Sequence, residues 1–193
     1  MQEQEILQLF RQAGAFLEGH FLLTSGFHSQ FYIEKFKLLQ YPQYVQVLAR
    51  EIIDRLHSPT VDVVVGPAVG GIILAYEIAR QLGVRMAFTE REEGKMKFRR
   101  DFVLSEKDWV LVVEDVVTTG SSAQEVIEAV EGIGAIIMGV GILVDRSGGK
   151  IQLQYPLHPL LQMEVKNYPP DECPLCRQRV ALQERGSRHL TSS

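Results

Sequence analysis

The sequence has little cysteine, no surplus of basic charge and no long apolar run. Its two cysteines, Cys173 and Cys176, provide no disulfide framework, which indicates a reduced, cytoplasmic protein. The net charge of -4 argues against a dedicated nucleic-acid-binding protein, because such proteins carry a basic patch. The longest nearly uncharged run, 133–144, is shorter than the roughly 20 residues of a membrane-spanning helix, and the first ten residues do not resemble a secretory signal. We therefore expect neither nucleic acid nor a membrane among the partners.

What the sequence does contain is a regular alternation of two kinds of segment. Short runs of Val, Ile and Leu are separated by longer segments with helical spacing of apolar residues. Strands are predicted at 61–65, 84–88, 109–113 and 135–144, and helices at 2–13, 41–56, 71–82 and 121–133. A hairpin is expected at 19–35, and a further strand or hairpin at 151–165. Buried strands that alternate with helices predict an α/β protein with an open, parallel sheet flanked by helices.

Each strong strand is followed by glycines, charges or hydroxyls. The segments are GPAVGG after 61–65, TEREEGK after 84–88, EDVVTTGSS after 109–113 and DRSGG after 135–144. In open α/β sheets the ligand lies beyond the carboxyl ends of the strands. We therefore expect these four strand ends to line one site.

The segment EDVVTTGSS combines two acids with a loop of hydroxyls and glycine. Residues 118–122 precede a helix, so their hydroxyls lie beside the free backbone N–H groups at the positive end of the helix dipole. Such an arrangement favours the binding of a phosphate. Glu114 and Asp115 would repel that phosphate, but carboxylates accept hydrogen bonds from the vicinal hydroxyls of a ribose, or bind a metal. A phosphorylated ribose satisfies both halves. The phosphoacceptor pocket of a receiver domain is disfavoured, because 61–71 supplies no second acidic cluster.

Two further segments each have two possible interpretations. The glycines of 66–71 either bring backbone N–H groups to an anion or simply allow a strand-to-helix turn, and no Walker lysine accompanies them. The segment 89–102 carries five cations among acids. It either closes over phosphate oxygens or forms a solvated hairpin with mixed salt bridges, and taken alone the hairpin is favoured.

Two stretches resemble a known family. VLVVEDVVTTGSS, residues 110–122, resembles the phosphoribosyl-pyrophosphate (PRPP) signature of the type I phosphoribosyltransferases. GHFLLTSGFHSQFYIE, residues 19–34, is similar to the segment that distinguishes the orotate enzymes from the purine enzymes. The resemblance extends from the first helix to DRSGG. It implies a phosphoribosyltransferase domain at 1–165, with a hood segment at 1–40, and a cysteine-containing tail at 166–193 that we expect to be loosely held.

The resemblance also implies an activity and its participants. These are the transfer of ribose 5-phosphate from PRPP to orotate, giving orotidine 5′-monophosphate and pyrophosphate in pyrimidine (UMP) biosynthesis. Mg²⁺ is the implied cofactor and would be held mainly by PRPP. A homodimer is also implied, with the loop 89–102 acting across the interface.

The site residues implied by the resemblance fall into four groups. The catalytic group is Glu114, Asp115, Lys95 and Arg91. PRPP would be bound by Glu114, Asp115, Val116, Val117, Thr118, Thr119, Gly120, Ser121 and Ser122. Pyrophosphate would be bound by Ala68, Val69, Gly70 and Gly71, and orotate by Thr118 and Arg146. Arg146 has a physical logic of its own, because a planar guanidinium can bind the carboxylate of orotate through two hydrogen bonds.

Two alternatives to the orotate enzyme remain. One is a phosphoribosyltransferase for another base, and the other is a non-catalytic, PRPP-binding regulator of the same fold. The motif Cys173-Pro-Leu-Cys176 is half of a zinc site, and two copies across a dimer could supply four thiolates. His189 downstream does not have the usual spacing, so an unmetallated, reduced tail is favoured. His28 is expected at the surface or in a hydrogen bond.

Overall fold

The computed structural model describes residues 1–57 and 60–185. The strands are β1 (Phe16–Leu22), β2 (His28–Ile33), β3 (Val63–Pro67), β4 (Arg85–Glu92), β5 (Lys95–Phe98), β6 (Trp109–Val117), β7 (Ile136–Asp145), β8 (Leu157–Gln162), β9 (Asn167–Tyr168) and β10 (Gln183–Glu184). The helices are α1 (Glu3–Gln12), α2 (Lys35–Leu39), α3 (Pro42–Arg55), α4 (Gly70–Leu82), α5 (Ser121–Glu131) and α6 (Pro174–Arg177).

The larger sheet has the strand order β5-β4-β3-β6-β7-β8. Strands β4, β3, β6, β7 and β8 run parallel, and β5 adds an antiparallel edge. Every residue of β3 is buried, as expected for a strand covered on both faces. The predicted α/β architecture with an open, parallel sheet is confirmed.

Helices cover both faces of this sheet. Helices α1, α3 and α4 pack on one face, and α5 packs on the other, which produces two apolar clusters. Alternate residues of β6 contribute to them: Leu111 and Val113 face α4, whereas Val110 and Val112 face α5. The core therefore holds the carboxyl end of β6 between the beginnings of α4 and α5.

A smaller sheet, in the order β10-β1-β2-β9, forms the hood. The hairpin β1–β2 lies at its centre, and the tail adds a strand at each edge. The expectation of a loosely held tail is wrong for the described part, because Cys173 is fully buried and both tail strands pair with the hairpin. The division of the chain at residue 165 remains a prediction.

Two segments extend further than their apolar runs predict. Strand β6 continues through Val117, so the acids lie within its last residues rather than in a loop after it. The segment 89–102 contains the end of β4 and all of β5. These two strands pair as an antiparallel hairpin, with Thr89 opposite Phe98. None of the helices in the described ranges is sufficiently long and apolar to traverse a bilayer.

Candidate active site

A cavity of about 520 Å³ lies between the hood and the carboxyl end of the larger sheet. Its walls are formed by Leu23, Thr24, Ser25, Phe27, Tyr32, Ile33, Thr118, Thr119, Arg146, Asn167 and Arg185. The predicted base-binding residues Thr118 and Arg146 therefore share one cavity, and the hood closes it from the other side.

The loop between β6 and α5 has the geometry of an anion cradle. Gly120 is the N-cap residue immediately before α5 and has a φ of 81°. A Cβ at this position would come within 2.9 Å of Ile151. The hydroxyls of Thr119 and Ser121 lie 3.1 Å apart, and the N–H of Ser121 points to the Thr119 hydroxyl at 3.4 Å. Residues 116–123 surround a small recess of about 40 Å³ together with Glu114. The N–H groups and hydroxyls converge there as a phosphate would require.

The two adjacent acids lie on opposite faces of the sheet. Glu114 borders the recess on the α5 side, whereas Asp115 lies on the α4 side, against Gly70. Both are buried, and the backbone N–H of Asp115 donates to the Glu114 carboxylate at 3.2 Å. One carboxylate therefore faces the phosphate cradle and the other faces the beginning of α4.

Glu114 has a strongly perturbed carboxyl group. Burial and the neighbouring Asp115 raise its pKa to about 8, against a smaller opposing effect of Lys35. Its Oε2 is buried and has no hydrogen-bond partner in the described part of the chain. Such an unsatisfied oxygen beside a cradle is ready to accept a hydrogen bond from a ligand hydroxyl.

Asp115 is held by a cation from the hood. The ammonium of Lys35, at the beginning of α2, lies 2.7 Å from its Oδ2. A Cβ added at Gly70 would lie 1.6 Å from the same oxygen, so only glycine fits at the start of α4. The glycine predicted to meet pyrophosphate thus also makes room for the acid.

Arg146 presents an uncompensated guanidinium to the cavity. Burial lowers its pKa, its Nε has no hydrogen-bond partner, and no ion pair of residues 1–57 and 60–185 involves it. Its backbone N–H donates to Val117 at 2.9 Å. The preceding Asp145 is buried and accepts from the N–H groups of Ser147 and Gly149, at 2.8 and 2.9 Å, which fixes the DRSGG turn. Arg146 is therefore a cation on a fixed turn that has no anionic partner among the described residues.

The segment 66–71 forms a tight turn beside this site. The carbonyl of Gly71 lies 2.4 Å from where a Cβ on Gly66 would be, so the two backbones touch. The N–H of Ala68 donates to Thr89, and Val69 is 64% exposed. The turn places the exposed residue Val69 between the end of β3 and Gly70, which lies against Asp115, and this geometry is compatible with both interpretations of the segment.

The charged hairpin is held largely by ion pairs. Arg91 contacts Glu125 on α5 at 2.9 Å, and Arg100 contacts Glu90 at 2.9 Å. Lys97 and Arg99 both contact acids of the same hairpin. Lys95 is exposed and makes no ion pair within the described ranges. The favoured interpretation, a hairpin with mixed salt bridges, agrees with this geometry, and Lys95 is the cation available for an external anion.

Several residues of the site carried no usable signal in the sequence. Lys35 meets an acid 80 positions away, and Asn167 and Arg185 reach the cavity from the tail. Tyr32 borders the cavity, whereas its neighbour Phe31 stacks on Phe16 with ring centroids 5.4 Å apart. The alternation of a strand places these two aromatic residues on opposite faces, so only Tyr32 borders the cavity.

Comparison with known proteins identifies the class. Residues 37–167 match the phosphoribosyl transferase domain. The chain therefore belongs to the phosphoribosyltransferase family, and it has the type I fold. The orotate phosphoribosyltransferase of Desulforamulus reducens is 51% identical over 99% of this chain and 100% of the relative, and that of Caldanaerobacter subterraneus is 48% identical over 98% and 100%. The crystal structure of orotate phosphoribosyltransferase from Aeropyrum pernix, 26% identical, covers 82% of this chain and 94% of its own with a TM-score of 0.69.

Proposed function

We propose that the protein transfers ribose 5-phosphate from PRPP to orotate, giving orotidine 5′-monophosphate and pyrophosphate in UMP biosynthesis. One observation carries this proposal: the uncompensated guanidinium of Arg146 shares a cavity with the phosphate-type loop at Thr118 and Thr119. A guanidinium there favours an acceptor that carries an anionic group, and orotate carries a carboxylate. The close relatives named above are orotate enzymes, which supports the same acceptor.

The carboxyl end of β6 offers one group of residues for the phosphate of PRPP and another for its ribose. The 5′-phosphate would be held by the hydroxyls and N–H groups of residues 118–122, with Val116 and Val117 supplying backbone. Glu114 and Asp115 would accept hydrogen bonds from the ribose hydroxyls, since a diol donates and a carboxylate accepts. Because the two carboxylates lie on opposite faces of the sheet, they would reach the sugar from different sides.

Orotate would occupy the cavity under the hood. Arg146 would bind its carboxylate, and Thr118 would stand between the base and the phosphate loop. During the transfer the bond from C1′ to pyrophosphate breaks and the bond from C1′ to N1 of orotate forms. The fixed turn at Asp145 would keep the guanidinium in place, which favours the geometry of attack.

Pyrophosphate would leave over the turn at 68–71 and the charged hairpin. Lys95 and Arg91 are the cations proposed to stabilise the negative charge that develops on it. Lys95 is the freer of the two, because Arg91 is already paired with Glu125. The hairpin is proposed to act across the interface of a cytoplasmic homodimer.

Mg²⁺ is proposed as the cofactor, and the donor set of the site is compatible with it. Mg²⁺ prefers oxygen ligands and keeps several waters, usually taking one or two carboxylates together with substrate phosphates. Glu114 Oε2 is a buried carboxyl oxygen without a hydrogen-bond partner among residues 1–57 and 60–185, whereas Asp115 is already engaged by Lys35. The chain therefore offers few ligands, as expected if PRPP itself holds most of the ion. When bound, the ion would neutralise charge on pyrophosphate.

An acceptor panel tests this proposal. The purified protein is incubated with PRPP, Mg²⁺ and one base at a time, among them orotate, uracil, adenine and guanine, and nucleotide and pyrophosphate are measured. We expect equimolar orotidine 5′-monophosphate and pyrophosphate with orotate. Turnover of a purine alone would instead support an enzyme for another base. Binding of PRPP without turnover of any base would support a regulator.

A further inference from the structure

Two histidines and two cysteines converge at a place that the proposed reaction does not use. His20 lies on β1 two residues before Leu22, the residue that pairs with His28 on β2, and Cys173 and Cys176 lie at the beginning of α6 in the tail. One ligand atom of each residue lies within 4.8 Å of those of the other three. His20, His28 and Cys173 are buried, and Cys176 is the most accessible of the four.

Three N···S distances within this cluster match the edges of a zinc tetrahedron, and the N···N distance is shorter. His20 Nε2 lies 3.4 Å from the Cys173 sulfur and 3.7 Å from the Cys176 sulfur, and His28 Nδ1 lies 3.3 Å from the latter. The two nitrogens are 2.9 Å apart. A tetrahedral zinc ion, with Zn–N of about 2.0–2.1 Å and Zn–S of about 2.3 Å, requires edges of roughly 3.3–3.8 Å. Small shifts of the two rings would bring all four atoms to that geometry.

The other ring nitrogen of His20 supports the same conclusion. His20 Nδ1 lies 2.8 Å from the carbonyl oxygen of Val180, to which only a protonated nitrogen can donate. This hydrogen bond fixes the tautomer and leaves the lone pair of Nε2 directed into the cluster. A backbone carbonyl in that position is the usual outer partner of a metal-bound histidine.

We propose that His20, His28, Cys173 and Cys176 bind one structural Zn²⁺ ion. The ligand set, two imidazoles and two thiols, is one that zinc takes in structural sites. Four protein ligands leave no open position, so the ion organises the fold and does not activate water. The sequence favours an unmetallated tail, because the histidine downstream of the cysteines, His189, does not have the usual ligand spacing. The second half of the site precedes them by about 150 positions, as the separation of 153 between His20 and Cys173 shows.

The ion would join the tail to the hood across the length of the chain. A cross-link between residues so distant in sequence closes a long loop, which is where metal clips are expected to stabilise most. The joined tail contributes Asn167 and Arg185 to the wall of the cavity. The zinc site would therefore keep one wall of the cavity in place while lying outside the reacting groups.

Metal analysis of the full-length protein, purified without chelator, tests the proposal. We expect about one zinc per chain by plasma mass spectrometry, and the single variants Cys173→Ser and Cys176→Ser should lose it. His158→Asn, which changes a half-buried histidine of β8 outside the cluster, is the matched control and should keep its zinc. Reconstitution of the unsubstituted protein with Co²⁺ should give the visible spectrum of a tetrahedral, thiolate-bound ion, and this readout does not depend on whether a variant folds.

Three results would overturn the proposal. The first is a zinc content below about one tenth of an ion per chain after incubation with Zn²⁺, with both thiols free to react. The second is a disulfide between Cys173 and Cys176. The third is full zinc content in the double cysteine variant. A chelator should also lower the melting temperature of the unsubstituted protein, by at least about 5 °C, and leave that of the cysteine variants unchanged. These measurements require no substrate, so their outcome is independent of the proposed acceptor.

Discussion

The ammonium of Lys35 lies 2.7 Å from Oδ2 and 2.9 Å from Oδ1 of Asp115, so the hood supplies the cation for a buried acid at the end of β6. The Asp115 side chain is 1% exposed and that of Lys35 is 36% exposed. The pair therefore connects the hood segment to the carboxyl end of β6 in the larger sheet.

Replacing this cation should weaken both stability and turnover. Lys35→Met would leave the Asp115 carboxylate buried with fewer partners, and we expect the free energy of unfolding to fall by about 1–3 kcal/mol. The partial exposure of Lys35 keeps this below the loss for a fully buried pair, because water already screens the ammonium. Urea unfolding measures the loss. Lys37→Met, on the exposed side of the same helix, is the control and should change it little. An equal loss in both variants would contradict the role of the pair.

Gly70 should tolerate no side chain. In Gly70→Ala the new methyl would collide with Asp115, whose Oδ2 lies 1.6 Å from the added Cβ. We expect kcat to fall at least about tenfold as the carboxylate and the turn at 68–71 separate. Gly132→Ala, where φ is -60°, is the matched change and should keep near-normal kinetics. Unchanged kinetics in Gly70→Ala would show that the close approach has no catalytic importance.

Glu114 should make stability depend on pH. Its folded pKa of about 8 lies above the ordinary value of 4.5, so the folded protein binds more protons than the unfolded chain between these values. The free energy of unfolding should therefore fall as pH rises from about 4.5 to 8. Below and above that range the contribution of Glu114 should not change further with pH. Melting temperatures across pH 5–9 test this.

The variant Glu114→Gln should flatten that profile, because an amide resembles the protonated acid at every pH. Glu128→Gln removes an exposed carboxylate of α5 and controls for the change in charge. A profile of Glu114→Gln that stays parallel to that of the unsubstituted protein would mean that Glu114 titrates at an ordinary pH.

Among the cations of the hairpin, Lys95 should matter most. Lys95→Ala removes the cation that is free to meet pyrophosphate, and we expect kcat to fall about 10²-fold or more. Arg91→Ala should cost less, because Arg91 is already paired with Glu125. Steady-state kinetics of the two variants compare them, and a larger loss in Arg91→Ala would reverse the assignment.

The same variant tests action across a dimer. A chain with Lys95→Ala has an intact base site, and a chain with Arg146→Gln has an intact hairpin. If the hairpin acts on the partner's site, the mixed dimer holds one complete site, so mixing should restore activity above that of either parent. No gain after verified subunit exchange would place the hairpin in its own subunit's site.

The sequence predicts the larger sheet and the centre of the site because these depend on local patterns. The apolar run at 110–113 requires a buried strand, and the hydroxyls after it require an anion at the start of α5. Arg146 is implied by the resemblance to the orotate enzymes, and the match between a guanidinium and the carboxylate of orotate agrees with it. These parts need no knowledge of distant contacts.

The remainder depends on contacts between remote segments, which local patterns do not encode. Lys35 meets Asp115 across 80 positions, and His20 meets Cys173 across 153. Lys35 follows a strand and His20 lies in a hairpin. Neither position indicates, from its own segment, that the side chain has a distant partner. The tail was expected to be loose for the same reason, since its anchoring partners lie near the beginning of the chain.

The central claim is that Arg146 selects the acceptor by its carboxylate, and one comparison tests it directly. Values of kcat/KM are measured for orotate and for uracil, which lacks the carboxylate, in the unsubstituted protein and in Arg146→Gln. Removing one partner of a desolvated charge pair costs about 2–5 kcal/mol, so the unsubstituted protein should prefer orotate by roughly 30-fold to 4,000-fold. In Arg146→Gln that preference should collapse towards unity. A preference for orotate that survives the substitution unchanged would contradict the account.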